Sequence, residues 1–325
     1  MGAEPLVRVL RSGVEESVHL GHVAVCDADG RLIASAGDPS RVVFARSCMK
    51  PLQTAVSLAA IGDMRLSDRE VAIMSSSHNA EPIHLGAVRA LLKRAGLGPS
   101  ALRTPPAWPL DPQEMARAQH RNPQFHDCSG KHAGMLLACV RAGWDPSTYL
   151  KGSHPLQRRV LRAVLRGTGV DDVAVGVDGC GVPVHGVPLA SMATLYARLA
   201  DAERMGPLAE QTDLAVEAML AEPYLVGGRD RDDTAVMQAT GDVVAKEGAE
   251  ALNCAVALSS GLGVAVKIAD GGYRAAGPAL LHTLAQVDAV DGRQLADLAD
   301  RLRPAVMGGG APVGSLEPAF VLRRR

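Results

Sequence analysis

The chain has 325 residues, room for one large domain or two ordinary ones, and is 47% hydrophobic but only 3% aromatic. Its formal net charge is −1, and the closing Arg323-Arg324-Arg325 is the one block of like charge, which argues against nucleic acid or an anionic membrane surface as partner. The start shows no basic segment with an apolar stretch behind it, and no apolar run approaches a membrane span. With six scattered cysteines set mostly in apolar runs, these features predict a cytoplasmic protein with reduced thiols.

Residues Leu6 to Leu10 and Val18 to Cys26 read as strands, and Asp27-Ala28-Asp29-Gly30 turns the chain into Arg31 to Ala36. A helix then starts near Lys50-Pro51, because proline is tolerated in a first turn, where its missing N–H costs nothing. On that helix Ser47, Lys50, Thr54 and Ser57 make one polar seam while every other direction is apolar or small. A single seam with one charge in it is the pattern of a buried helix facing a cleft. Ser-x-x-Lys offers a nucleophile and a base: a serine hydroxyl needs its proton removed, and a lysine can remove it only when neutral. The same spacing also suits a helix-capping serine beside a solvent-facing lysine.

Ser67-Asp68-Arg69-Glu70 is a capping box opening a helix through Met74. A polar stretch from Ser75 to His84 follows, with Pro82 starting a helix that runs to Arg94 and stops at Gly96. The proline-rich residues 98–127 read as irregular, and a connection of that length is commonly functional. Helices are predicted at Ala133 to Val140, Pro155 to Arg166, 189–203, 206–221, 277–288 and 292–303, with strands at Val173 to Val177 and Asp242 to Ala245. Ala251 to Leu258 and Gly263 to Ala269 form a hairpin buried on both faces. Within it Lys267 shares a face with Ala265 and Ala269; a lysine there is either paired or working, and the alanines leave room for something to approach. A glycine-rich tail, Gly308-Gly309-Gly310, closes the chain. Strands at both ends with helices between them give an α+β protein with an antiparallel sheet. We expect one domain, 1–325, with a helical subregion at about 60–240 inserted between the N- and C-terminal sheet segments.

The motifs Arg46-Ser47-x-x-Lys50-Pro51-Leu52-Gln53, Ser77-His78-x-x-Glu81-Pro82-x-His84, Cys128-Ser129-Gly130-Lys131-His132-Ala133-Gly134-Met135, Asp178-Gly179-Cys180-Gly181-x-Pro183, Gly248-Ala249-Glu250 and Gly261-Leu262-Gly263-x-Ala265-x-Lys267 occur in one order along the chain. As a set they resemble the rhizobial-type L-asparaginases, the asparaginase II sequence family. The resemblance implies a fold like the serine β-lactamases and penicillin-binding proteins, a homodimer, and hydrolysis of L-asparagine to aspartate and ammonia. It implies two Ser-Lys tandems, Ser47 with Lys50 and Ser77 with Lys267. It implies a zinc site at Cys128, Lys131 and Cys180, flanked by His132 and with Cys254 nearby, that tunes substrate binding. It also implies substrate contacts from Arg46, His78, Glu81, Asp178 and Cys254. Ala80 departs from the family by standing where glycine is usual, and Ile268-Ala269-Asp270-Gly271 is less acidic than the run it replaces. Cysteine thiolate suits zinc, but lysine must first lose its proton to bind one. Two other readings fit the same residues: a zinc-hydroxide amidohydrolase in which the serines only bind, and a penicillin-recognising sensor that is acylated without turnover.

Overall fold

The computed structural model describes residues 2–325. The chain begins with the antiparallel strands β1 (Glu4–Arg11), β2 (Val14–Cys26) and β3 (Leu32–Ala36), then the short β4 (Val42–Phe44). A 3-10 turn at Arg46–Met49 leads into α1 (Lys50–Ile61), with Pro51 in its first turn. There follow α2 (Asp68–Met74), whose capping box forms with both halves, α3 (Pro82–Arg94), α4 (Pro112–Arg117), α5 (Ser129–Arg141) and α6 (Pro155–Thr168). Next come β5 (Ala174–Val177), β6 (Pro183–Pro188), α7 (Leu189–Ala200), α8 (Ala209–Ala221), α9 (Pro223–Val226) and α10 (Asp232–Thr240). The chain closes with β7 (Val243–Gly248), β8 (Leu252–Ala257), β9 (Leu262–Ile268), α11 (Ala276–Gln286), α12 (Gly292–Leu302), β10 (Val306–Gly308), β11 (Ala311–Pro318) and β12 (Arg323–Arg324).

Among the described residues the main sheet runs β10-β11-β1-β2-β9-β8-β7, with β3 beside β2 and β12 beside β3. The N-terminal hairpin and the Lys267 hairpin therefore meet, as the strand pattern predicts, in an antiparallel pair from Gly21 opposite Ile268 to Cys26 opposite Gly263. β2 is long because its first part pairs with β1 and its last part, from Val23, with β3. One face of the sheet carries Val23, Val25, Val264 and Val266 against α11 and α12; the other carries Ala24, Cys254 and Ala265 against the helical layer of α1 to α3 and α5 to α8. This is the α+β plan, built on alternation along strands buried on both faces.

The structure adds β4, α4, β6, α9 and α10, which the sequence reading does not assign, α4 falling within the stretch read as irregular, and it differs at two further places. The glycine-rich tail is a hairpin: Gly309 and Gly310 both take positive φ between β10 and β11, a turn that suits the twist of the flanking strands, and β11 pairs along β1 from Val7 opposite Pro318. And what approaches the small residues of β9 is a helix. α7 lies so close that a Cβ on Gly263 would meet the Ala193 carbonyl oxygen at 2.0 Å and the Ala197 nitrogen at 2.4 Å. Since both contacts are backbone, Gly263→Ala must push α7 off the sheet. It should cost about 3 kcal/mol in urea unfolding, whereas an unchanged midpoint would show that α7 is not seated as described.

Candidate active site

The site is assembled where the start of α1, the 75–81 segment and the loop before α5 meet. Ser47 and Ser77 both line a cavity of about 650 Å³, and Lys50 lies beneath them, 1% exposed. The Lys50 Nζ donates to Ser77 Oγ at 2.7 Å and to the Ser76 carbonyl at 2.5 Å, with Asp127 Oδ2 3.9 Å away. Thr54 of the seam seats on the same segment, since Ser75 Oγ donates to Thr54 Oγ1 at 2.9 Å, while Ser57 Oγ donates back to the Gln53 carbonyl at 2.8 Å. Ser47, one helical turn before Lys50, has no side-chain hydrogen bond among the described residues, which leaves its hydroxyl free toward the cavity. Arg46 before it has φ +47, a strained backbone for a residue with a long side chain, held by a 2.7 Å bond from its Nε to Asp178 Oδ1.

Ser77 is held from both sides like a lone strand. Its N–H donates to the Val226 carbonyl, His78 N–H to that of Asp127, and Asn79 N–H to that of Gly227. In this segment two of the expected substrate contacts are engaged by the protein itself. His78 is fully buried, and both ring nitrogens are used: Nδ1 accepts from Ala80 N–H at 3.0 Å, so Nε2 donates to Ser129 Oγ at 2.9 Å. Burial and the neighbouring His84 hold His78 well below the usual histidine range, so it is a neutral bracket. Glu81 accepts from Tyr224 OH at 2.5 Å and from Arg229 N–H at 2.9 Å, and so clamps α3 to the loop after α9 without lining the cavity. Ala80 sits at φ +64, which accounts physically for glycine as the usual residue at this position.

Opposite the serines, Cys128 and Cys180 line the cavity wall with Asp178. Lys131 Nζ lies 3.0 Å from Cys180 Sγ. A hydrogen bond from the Cys128 thiol, with the charge of Lys131 beside it, outweighs burial and brings Cys180 down to about 6. Cys128 is raised, by that same hydrogen bond and by burial. Two adjacent sulfurs and an amine nitrogen converge here, a donor set that fits a soft divalent ion once Lys131 gives up its proton. His126, Asp127 and Cys128 also bring ligand atoms within 4.8 Å of one another. His126 Nδ1 lies 2.8 Å from Asp127 Oδ1; burial works against its charge, but the bond to Asp127 carries it up to about 9.

Two further expectations are corrected. Lys267 does not join Ser77: its Nζ donates to the Ile268 carbonyl at 2.7 Å and to that of Glu250, and it lines a separate cavity behind Arg46. Its register opposite His22 on β2 and Leu252 on β8 carries it past the end of the helical layer. Cys254 lies at the centre of β8 with no exposure and close to Cys48, and it lines neither cavity. The second fully buried lysine is Lys246, which sequence reasoning missed. It donates to Asp233 Oδ2 at 2.8 Å, and the charge of Lys50 bears on it. Also missed were Arg231 and Glu247, a pair of opposite charges facing the cavity from the loop before α10 and from β7. The available signal for Lys246 and Glu247 was an adjacent pair of charges at the C-terminal end of the apolar strand Val243 to Gly248, next to the quoted Gly248-Ala249-Glu250. All six cysteines are unpaired and buried, and among the described residues no helix is long and apolar enough to cross a membrane.

The L-asparaginase II family profile matches residues 7–318. No curated protein matches the sequence significantly. Among solved structures the chain is similar to a probable glutaminase from Bacillus subtilis complexed with 6-diazo-5-oxo-L-norleucine. The two are 13% identical over 83% of this chain and 84% of that one, with a TM-score of 0.40, an overlap too loose to place individual residues.

The buried histidines give the bracket a pH signature. His78 and His84 are both held below the usual range, chiefly by burial, so they stay neutral in the fold while the unfolded chain takes up protons near pH 6.5. Below that pH the unfolded state binds more protons and stability falls, by up to about 1.4 kcal/mol per unit for each histidine. Chemical unfolding at pH 6.5 and 5.5, below the window in which the raised His126 acts in the opposite sense, should show this loss, and equal stabilities would contradict neutral burial.

Proposed function

The chain belongs to the L-asparaginase II family and so acts as an amidohydrolase on small amides, and on that premise we propose that it hydrolyses L-asparagine to L-aspartate and ammonia by serine–lysine catalysis. The observation that carries the reading is Lys50, buried with its Nζ on Ser77 and one helical turn from Ser47, the two serines opening on one cavity. Ser47 is the nucleophile. Its Oγ attacks the side-chain amide carbon as its proton passes to Lys50 Nζ, which can take it only in the neutral form. The tetrahedral adduct collapses with cleavage of the C–N bond, and the leaving nitrogen receives the proton from Lys50 through Ser77 Oγ, 2.7 Å away. Ammonia departs, leaving an aspartyl ester on Ser47. Water then attacks the ester carbonyl, passing its proton back along the same path, and releases aspartate.

The walls suit an amino-acid zwitterion. Arg46 with Asp178 on one side, and Arg231 with Glu247 on the other, present cation and anion together to the α-carboxylate and α-ammonium groups of the substrate. Lys246 and Asp233, both fully buried, keep β7 in place behind that second pair. A homodimer belongs to the same proposal.

We also propose zinc at Cys128, Cys180 and Lys131, where it would supply a fixed positive charge on the wall facing the serines. The convergence of two sulfurs and an amine supports this.

Ser47→Ala and Lys50→Ala should each cut kcat by about a thousandfold or more, and the double variant should be little worse than either, because the two act as one unit. Ammonia release measured on all three decides this; losses that multiply would contradict a shared role. Cys128→Ser should raise the asparagine KM more than it lowers kcat, as lost ground-state binding does. If removing metal abolishes kcat at unchanged KM, the zinc-hydroxide reading replaces the serine one.

A further inference from the structure

Lys267, separated from the serines, belongs to a second cavity of about 260 Å³ that the proposed reaction does not use. The two cavities share Arg46 and Ala249 as a common wall. The polar side of the second holds Arg41, Arg46, Lys267 and His22, with Glu250 as the one carboxylate. The charges of Glu250, Asp270, Arg41 and Arg46 bear on Lys267, and those of Asp38, Arg41, Lys267 and Glu4 on His22, so cations and carboxylates gather at one place. Lys267 is fixed by its two carbonyl acceptors, while the exposed Arg41 side chain has no partner among the described residues. His22 is 6% exposed, and its Nδ1 accepts from Asp38 N–H at 2.9 Å. The proton is therefore on Nε2, a donor with no hydrogen bond among the described residues on a side chain that lines the cavity. The Glu250 carboxylate abuts Gly271, and its own backbone is strained at φ +62. Against these donors stand Val43, Phe44 and Ala269, an apolar side for a carbon chain.

We propose that this cavity is a second binding site, for a small organic carboxylate. Its carboxylate lies among Lys267, Arg41 and the His22 Nε2–H, and its carbon chain lies on the apolar side. Fixed ammonium and guanidinium donors recognise a carboxylate by charge-assisted hydrogen bonds. The apolar half distinguishes such a ligand from a bare inorganic oxyanion.

Succinate is a suitable probe because it has no amide to hydrolyse and no α-ammonium group for the main cavity. Calorimetric titration of the full chain should show one succinate site, with sulfate binding at least tenfold more weakly. Arg41→Ala and Lys267→Met should each weaken succinate about tenfold or more, the scale of one lost charge-assisted bond. Ser47→Ala and Arg231→Ala should leave it unchanged. The proposal is overturned if succinate does not bind at millimolar concentration, if it binds equally to Arg41→Ala and Lys267→Met, if Arg231→Ala removes it, or if sulfate binds as well. Thermal melts of the variants confirm folding, and Arg41→Ala, an exposed change, gives the reading even if Lys267→Met does not fold. Because no turnover is measured, failure of the asparaginase reading would leave this result standing, and the converse holds.

Discussion

A lysine amine taken wholly out of water is costly unless its polar head meets hydrogen-bond partners, and Lys50 sets that demand on the rest of the molecule. Its acceptors come from two separate places in the chain: the Ser76 carbonyl and the Ser77 hydroxyl on one segment and, at longer range, Asp127 on another. The 75–81 segment has no regular partner strand of its own, so the loops at 127 and 226–229 must hold it. The fully buried brackets follow from that: neutral His78 under Ser77, Glu81 tied to Tyr224 and Arg229, and the close passage at Gly228, where a Cβ would strike Glu81 at 2.4 Å. Residues that read in the sequence as ligands for a substrate are in the fold ligands for the backbone that presents Ser77.

The sheet contributes in a different way. Small residues on β9 let α7 lie directly on it, and β7 delivers Lys246, Glu247 and Gly248 to the back of the cavity. Arg46, strained at the entry to α1, stands between the two cavities and is tied to Asp178 beside the thiol cluster. One side chain thus connects the turn bearing Ser47, the thiol cluster and the second cavity.

Much of this plan was legible in residue pattern. The polar seam Ser47, Lys50, Thr54 and Ser57 sits on a buried helix against the 75–77 segment, the Ser67 capping box forms, and the two hairpins meet edge to edge. What pattern did not carry is which partner each buried group finds. Spacing along one helix puts Lys50 near Ser47 but does not say that its Nζ turns to Ser77, which is set by a loop 27 residues away. Lys267 and Lys246 look alike as lysines in apolar strands. Only the register, with Lys246 opposite the core residue Cys254 and Lys267 toward the sheet's end, separates them. The β10–β11 hairpin was hidden because Ala311 to Pro318 lacks clean alternation, and its place is set by the free edge of β1.

The central claim is that Ser47 carries the acyl group while Lys50 and Ser77 move the proton. It is tested most directly by quenching the enzyme in acid during turnover of L-asparagine and mapping its peptides by mass spectrometry. The account predicts an aspartyl ester on the peptide bearing Ser47, absent in Ser47→Ala and still formed, at a reduced rate, in Ser77→Ala. An ester on Ser77, or full turnover with no ester on either serine, would contradict it.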